Sequence, residues 1–128
     1  MTGLSRRVLY WSPRLLSITF VLFLSLFAFD ALEEDRSFWS NLLALAMHLV
    51  PCFVLTLALI LAWRWEWIGA VMFASAGLLY VGWVVSMDRP VPAPMRLVWI
   101  LTIAGPALLV AALFLVNWLR RGELRMGR

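Results

Sequence analysis

The 128-residue sequence predicts an all-α membrane protein, a single membrane domain over 1–128 built as an antiparallel bundle of four transmembrane helices with both termini cytoplasmic. Three observations carry that prediction. Hydrophobic residues make up 64% and charged residues 14% of the chain, against roughly 45–50% and about 25% in soluble domains. The apolar residues come in continuous runs, not in alternation, which selects helices over barrel strands. There are four such runs, each near the ~20 residues that a helix needs to cross the hydrocarbon core.

The first expected span is 13–32, with Pro13 suited to a first helical turn because its missing N–H is unpaired there anyway. The second is 38–63, with Ser37 as its N-cap. The third, 67–87, follows through so short a connection, Arg64-Trp65-Glu66, that the two must form a tight antiparallel hairpin. The fourth is 97–119, in which Gly105-Pro106 is expected to bend the helix at Pro106. Pro51 is the other expected bend: it removes a backbone donor and frees a carbonyl near Met47 and His48, which the imidazole is placed to hold.

With four spans both termini share a side. Arg6, Arg7, Arg14, Arg64, Arg120, Arg121, Arg125 and Arg128 fall on that side, and only Arg36, Arg89 and Arg96 on the other, so positive charge puts the termini in the cytoplasm. Tryptophan placement checks this independently. Trp11, Trp63, Trp65, Trp67 and Trp118 fall at one boundary and Trp39 and Trp99 at the other; Trp83, roughly 24 Å beyond Trp67 along the axis, comes close to the second. No indole is stranded at mid-depth. A cleaved signal peptide is the rival for the first span, since Arg6-Arg7 precedes an apolar stretch, but Ala28-Phe29-Asp30-Ala31 offers no clean small-x-small site. The first span is therefore expected to stay. The location that follows is a plasma membrane, crossed in several passes.

The net charge of +4 comes from arginines scattered at the edges of apolar runs, which argues against a nucleic-acid partner. Cys52 is the single cysteine, so no disulfide partner exists within the chain and no thiolate cluster can form there. The partners expected are the lipid bilayer and either a second copy or another membrane protein. Neither a metal nor an organic cofactor is expected.

Five polar positions are candidates for a functional or structural role. His48 is the only histidine and lies roughly 15 Å inside the second span, where ionisable groups mark function by default. It is expected to point into the bundle, with Thr19 or Ser75 as hydrogen-bond partner. Cys52 sits one turn on, a legitimate spacing for soft metal ligands, yet two ligands do not make a site. Asp30 opens an acidic group with Glu33, Glu34 and Asp35, read as a solvated turn or a cation- or partner-docking patch. Arg64 and Glu66 alternate with Trp63, Trp65 and Trp67, which read as interface anchors; cation–π contact can hold Arg64, and Glu66 can pair with Arg64 or with another arginine of the terminal side. Ala70, Ala74 and Gly77, Ala58 and Ala62, and Ala107 and Ala111 mark packing faces on spans three, two and four.

The strings Phe23-Leu24-Ser25-Leu26-Phe27-Ala28-Phe29-Asp30, His48-Leu49-Val50-Pro51 and Ala62-Trp63-Arg64-Trp65-Glu66 followed by Gly69 resemble a family of small bacterial integral membrane proteins defined as a domain of unknown function. The resemblance covers roughly 20–82. It implies four spans, singles out Asp30, His48, Pro51, Trp63, Arg64, Trp65, Glu66 and Gly69, and implies no activity.

Because no nucleophile with a base, no full ligand set and no cofactor motif is present, the expected function is non-enzymatic: an accessory or structural subunit that packs with itself or with a larger membrane complex. The alternative is a small oligomeric transporter or proton-coupled carrier using His48.

Overall fold

The computed structural model describes residues 2–125; Arg128, counted above on the terminal side, lies outside them. Among the described residues there is no strand. Helix α1 (Gly3–Phe27) starts where the Thr2 hydroxyl accepts from the Ser5 amide at 3.2 Å. Pro13 is thus inside α1 and not in its first turn. The helix survives because the carbonyl that Pro13 leaves without a backbone donor, that of Leu9, accepts from the Ser12 hydroxyl at 3.3 Å. A 3-10 turn, Ala28–Ala31, ends the span.

Helix α2 (Phe38–Arg64) begins at Ser37, which caps it as expected through the Ser40 amide at 3.3 Å, and runs unbroken through Pro51. One extended residue, Trp65, separates α2 from α3 (Glu66–Val85). The fourth span combines α4 (Ala93–Trp99), a π-helical segment Ile100–Ala104 and α5 (Gly105–Leu119), after which a short α6 (Arg121–Arg125) follows. The π turn has a local cause. Pro106 cannot donate and its ring crowds the carbonyl one turn back, and one wider turn absorbs both, with the Gly105 amide reaching the Ile100 carbonyl. The disturbance expected at Gly105-Pro106 is therefore a widened turn on its N-terminal side.

Four helical stretches, Gly3–Ala31, Phe38–Arg64, Glu66–Val85 and Ala93–Leu119, are long and apolar enough to cross a membrane. They pack as a ring: α2 against α1 and α3, and α5 against α1 and α3, with no comparable packing across the diagonals. The core joins Phe20, Leu55, Leu59, Phe73, Val110 and Phe114 around Ala58, Ala62, Ala107 and Ala111, so the expected small faces of α2 and α5 do point inward. On α3 the closest approach falls at Gly69. A Cβ there would sit 2.6 Å from the Ala62 Cβ and 2.8 Å from the Phe114 ring. Gly77 is buried too, whereas Ala70 and Ala74 are only partly covered.

The connection 86–92 is closed by Arg96, whose Nη2 donates to the carbonyls of Met87 at 2.8 Å and Arg89 at 2.9 Å. At the same end of the chain's long helices, Asn41 exchanges two hydrogen bonds with the Glu33 backbone, at 3.1 and 2.8 Å, and Arg36 pairs with the Glu33 carboxylate at 2.9 Å. Much of the acidic segment's order is thus local.

Candidate functional site

Two sites concentrate the polar chemistry of the bundle. The first lies where the middle of α1, the α2–α3 junction and the end of α5 meet. Arg14 is wholly buried there, an expensive place for a charge unless it is paired and hydrogen-bonded. Its guanidinium donates to the Tyr10 carbonyl at 2.6 Å, the Trp63 carbonyl at 3.2 Å and the Glu66 carboxylate at 3.4 Å. Its carbon also stands 3.7 Å from the centroid of the Tyr10 ring and 5.5 Å from that of Trp63, so aromatic faces supply what water would otherwise provide. Glu66 opens α3, where a carboxylate complements the positive end of the helix dipole. Asn117, also fully buried, donates to the Tyr10 carbonyl at 3.4 Å from α5, and its Oδ1 has no hydrogen-bond partner among the described residues.

Of the residues singled out from sequence, Glu66 therefore pairs with an arginine of the terminal side, and that arginine is Arg14. Arg64 instead stacks at 5.8 Å over Trp65 and stays exposed. Trp63, Trp65 and Trp67 are all exposed, and Trp63 additionally meets Trp11 edge-to-face at 5.9 Å. Arg14 and Asn117 were not singled out. The signal available for Arg14 was its position just inside the apolar run, immediately after Pro13, facing the single acid of the hairpin turn.

The second site is a cavity of about 390 Å³ bordered by all four spans. It lies on the other side of the core: Phe20 and Phe27 of α1, His48 and Cys52 of α2, Gly77 and Tyr80 of α3, and Ile103 and Ala107 of the fourth span border it. It exists because α2 and α5 do not close on one another there. Cys52 and Leu55 share its wall and are buried, but neither the enclosure nor the partner expected for His48 is found. The ring Nδ1 lies 2.9 Å from the Ala44 carbonyl of its own helix, while Thr19 bonds back to Leu15 and Ser75 is exposed. The ring is also exposed, not enclosed. An imidazole one turn after a carbonyl can reach it without help from a neighbouring helix. Nor does the ring hold the carbonyl freed by Pro51, which belongs to Met47 and not Ala44.

Asp30 sits exposed in the 3-10 turn Ala28–Ala31. No three His, Cys, Asp or Glu side chains among the described residues come together in a metal-holding group, so Asp30 and the 33–35 carboxylates do not form a nest and His48–Cys52 gains no third ligand.

Four apolar helices in a ring, sealed at one end by a buried charge and hollow toward the other, define a multi-pass α-helical membrane protein. The chain belongs to the family described as Domain of unknown function (DUF7670), which it matches over residues 1–125. That match extends beyond the resemblance at 20–82 to include the arginine-rich start, the proline-rich 90–94 connection and the whole fourth span. No curated protein and no solved structure matches the chain.

Proposed function

We propose that this protein is a non-enzymatic accessory or structural subunit of a bacterial plasma membrane, an antiparallel four-helix bundle with cytoplasmic termini that packs with itself or with a larger membrane complex. The observation that carries this reading is on the outside of α3. Ser75, Gly82 and Ser86 fall on one line of the helix at i, i+7 and i+11, all exposed, and a Cβ at Gly82 would meet nothing. Small residues on that line, beside Leu78, Leu79 and Trp83, leave room for a second transmembrane helix to approach closely, where backbone contact replaces a hydrophobic drive that lipid does not supply. The cytoplasmic placement of the termini is supported by the arginine asymmetry, eight against three, and the antiparallel order by the contacts of Arg14 with Trp63 and Glu66 and of Asn117 with Tyr10.

Cross-linking in intact membranes followed by extraction in a mild detergent tests the reading. A discrete higher-mass species weakened by Gly82→Leu supports it. A strictly monomeric protein that captures nothing in cells overturns it.

A second reading, a small oligomeric carrier, is favoured by one observation: the only histidine borders a cavity shared by all four spans. Proteoliposome flux identical for the native protein and His48→Ala counts against it.

A further inference from the structure

We infer that the cavity between the four spans is a binding site for a neutral, membrane-soluble molecule that carries a hydroxyl group on an apolar body, with His48 accepting the hydroxyl hydrogen bond. The inference stands apart from the packing proposed above, since it concerns the cavity bordered by all four spans and not the Ser75, Gly82 and Ser86 line of α3.

Size comes first. At about 390 Å³ the space lies within the range of small-molecule sites, roughly 300–1,000 Å³. It is more than twice an engineered apolar cavity of about 150 Å³ that stays dry and takes up benzene. Water alone is a poor occupant of a wall built from Phe20, Leu24, Leu55 and Ile103, because each molecule needs two to four polar partners.

Charge comes next. No arginine, aspartate or glutamate borders the cavity. A phosphate, carboxylate or ammonium group would therefore be left uncompensated there, which excludes lipid headgroups and charged solutes as occupants. Membrane depth agrees, since His48 lies roughly 15 Å inside its span, below the level of phospholipid headgroups.

The histidine then sets the chemistry of the ligand's polar end. A backbone carbonyl can only accept, so the 2.9 Å contact between Nδ1 and the Ala44 oxygen puts the ring proton on Nδ1. In the neutral ring Nε2 is then a lone-pair acceptor. A partner for it must bring a donor, and a ligand hydroxyl supplies one while it can also meet the hydroxyl of Tyr80, which borders the same cavity. Long-chain alcohols, isoprenoid alcohols and quinols share that chemistry; ethers and alkanes lack it.

Because His48 is the chain's only histidine, nitrogen NMR on isotope-labelled histidine reports this one ring without assignment. The full chain in phospholipid nanodiscs is titrated with 1-decanol and, in parallel, with decyl methyl ether. The expected result is a saturable shift of the Nε2 resonance with decanol, at a concentration about tenfold below any response to the ether, the ratio one hydrogen bond provides. In Ala76→Phe, which fills the cavity from α3, the shift should vanish; Leu24→Trp fills it from α1 and serves if the first variant does not fold. No shift with decanol, an equal response to both probes, or a shift that persists in the filled variants each overturns the inference.

Discussion

The Arg14 guanidinium and the Glu66 carboxylate meet at 3.4 Å, the first fully buried and the second about 13% exposed, and this pair ties the middle of α1 to the start of α3. Of the two partners open to Glu66, Arg64 lies over Trp65 instead, which leaves the carboxylate to Arg14. The pair sits among the carbonyls of Tyr10 and Trp63, so the arginine serves three acceptors on three helices, α1, α2 and α3. Its planar fork of donors suits that task as a lysine's point charge does not.

Arg14→Met should therefore cost about 2–4 kcal/mol, since it strips a donor from a carboxylate and from two carbonyls while keeping much of the volume. Glu66→Gln keeps an oxygen facing Arg14 and is partly exposed, so about 1 kcal/mol or less is expected. Arg14→Lys should fall between them. Unfolding in mild detergent, followed by the fluorescence of the boundary tryptophans, checks the order; a Glu66→Gln loss as large as that of Arg14→Met would show that the Coulombic pair, not the hydrogen-bond network, holds this end.

The glycines of α3 separate packing from exposure. At Gly69 a methyl would lie 2.6 Å from the Ala62 Cβ, a separation that forces α2 and α3 apart, whereas Gly82 faces open space. Gly69→Ala is expected to destabilise by about 1–3 kcal/mol, the range for an overfilled core. Gly82→Ala should leave the monomer's stability unchanged or slightly raised, since alanine is the better helix former. Thermal unfolding of the two variants side by side decides it.

What the sequence made legible follows from what averages over a segment. The four spans and the boundary tryptophans rest on sums over many residues, and no single contact can overturn them. Glu66 was visible as an acid needing a cation, but its partner lies about fifty residues away and Arg14 looks, in sequence, like any other arginine at the edge of an apolar run. The 3.6-residue periodicity puts His48 in line with the buried Cys52 and Leu55, yet neither the exposure of its ring nor its Ala44 partner is legible, because an i−4 carbonyl and a neighbouring hydroxyl compete for the same ring. Ser12 shows the same limit: its role at the Leu9 carbonyl depends on Pro13 lying inside a helix that begins at Gly3.

Orientation is open to a direct measurement. With Cys52 buried, Glu34→Cys should react with a membrane-impermeant thiol reagent in intact cells, and Gly122→Cys should react only after permeabilisation. The reverse pattern would invert the bundle and make the arginine asymmetry an exception to the positive-inside rule.

The π turn at Ile100–Ala104 gives the last test. It inserts one residue relative to an α-helical course, and each residue of an α-helix turns by about 100°, so the face that α4 presents depends on it. Pro106 is its cause, through the missing donor and the crowded ring, and Gly105 with its amide on the Ile100 carbonyl is how the chain adjusts. Pro106→Ala restores a donor and removes the clash. The segment should then return to α-helical bonding, rotating Arg96 and Trp99 by roughly 100° relative to α5 and pulling Arg96 from the carbonyls of Met87 and Arg89 that close the 86–92 connection. Spin labels placed one at a time along 95–104 read the lipid-facing side of each position. A periodicity shifted by about one residue on the N-terminal side of position 105, with the C-terminal side unchanged, is the expected outcome. An unshifted pattern would mean that the packing of α3 against this segment, and not the proline, sets the wider turn.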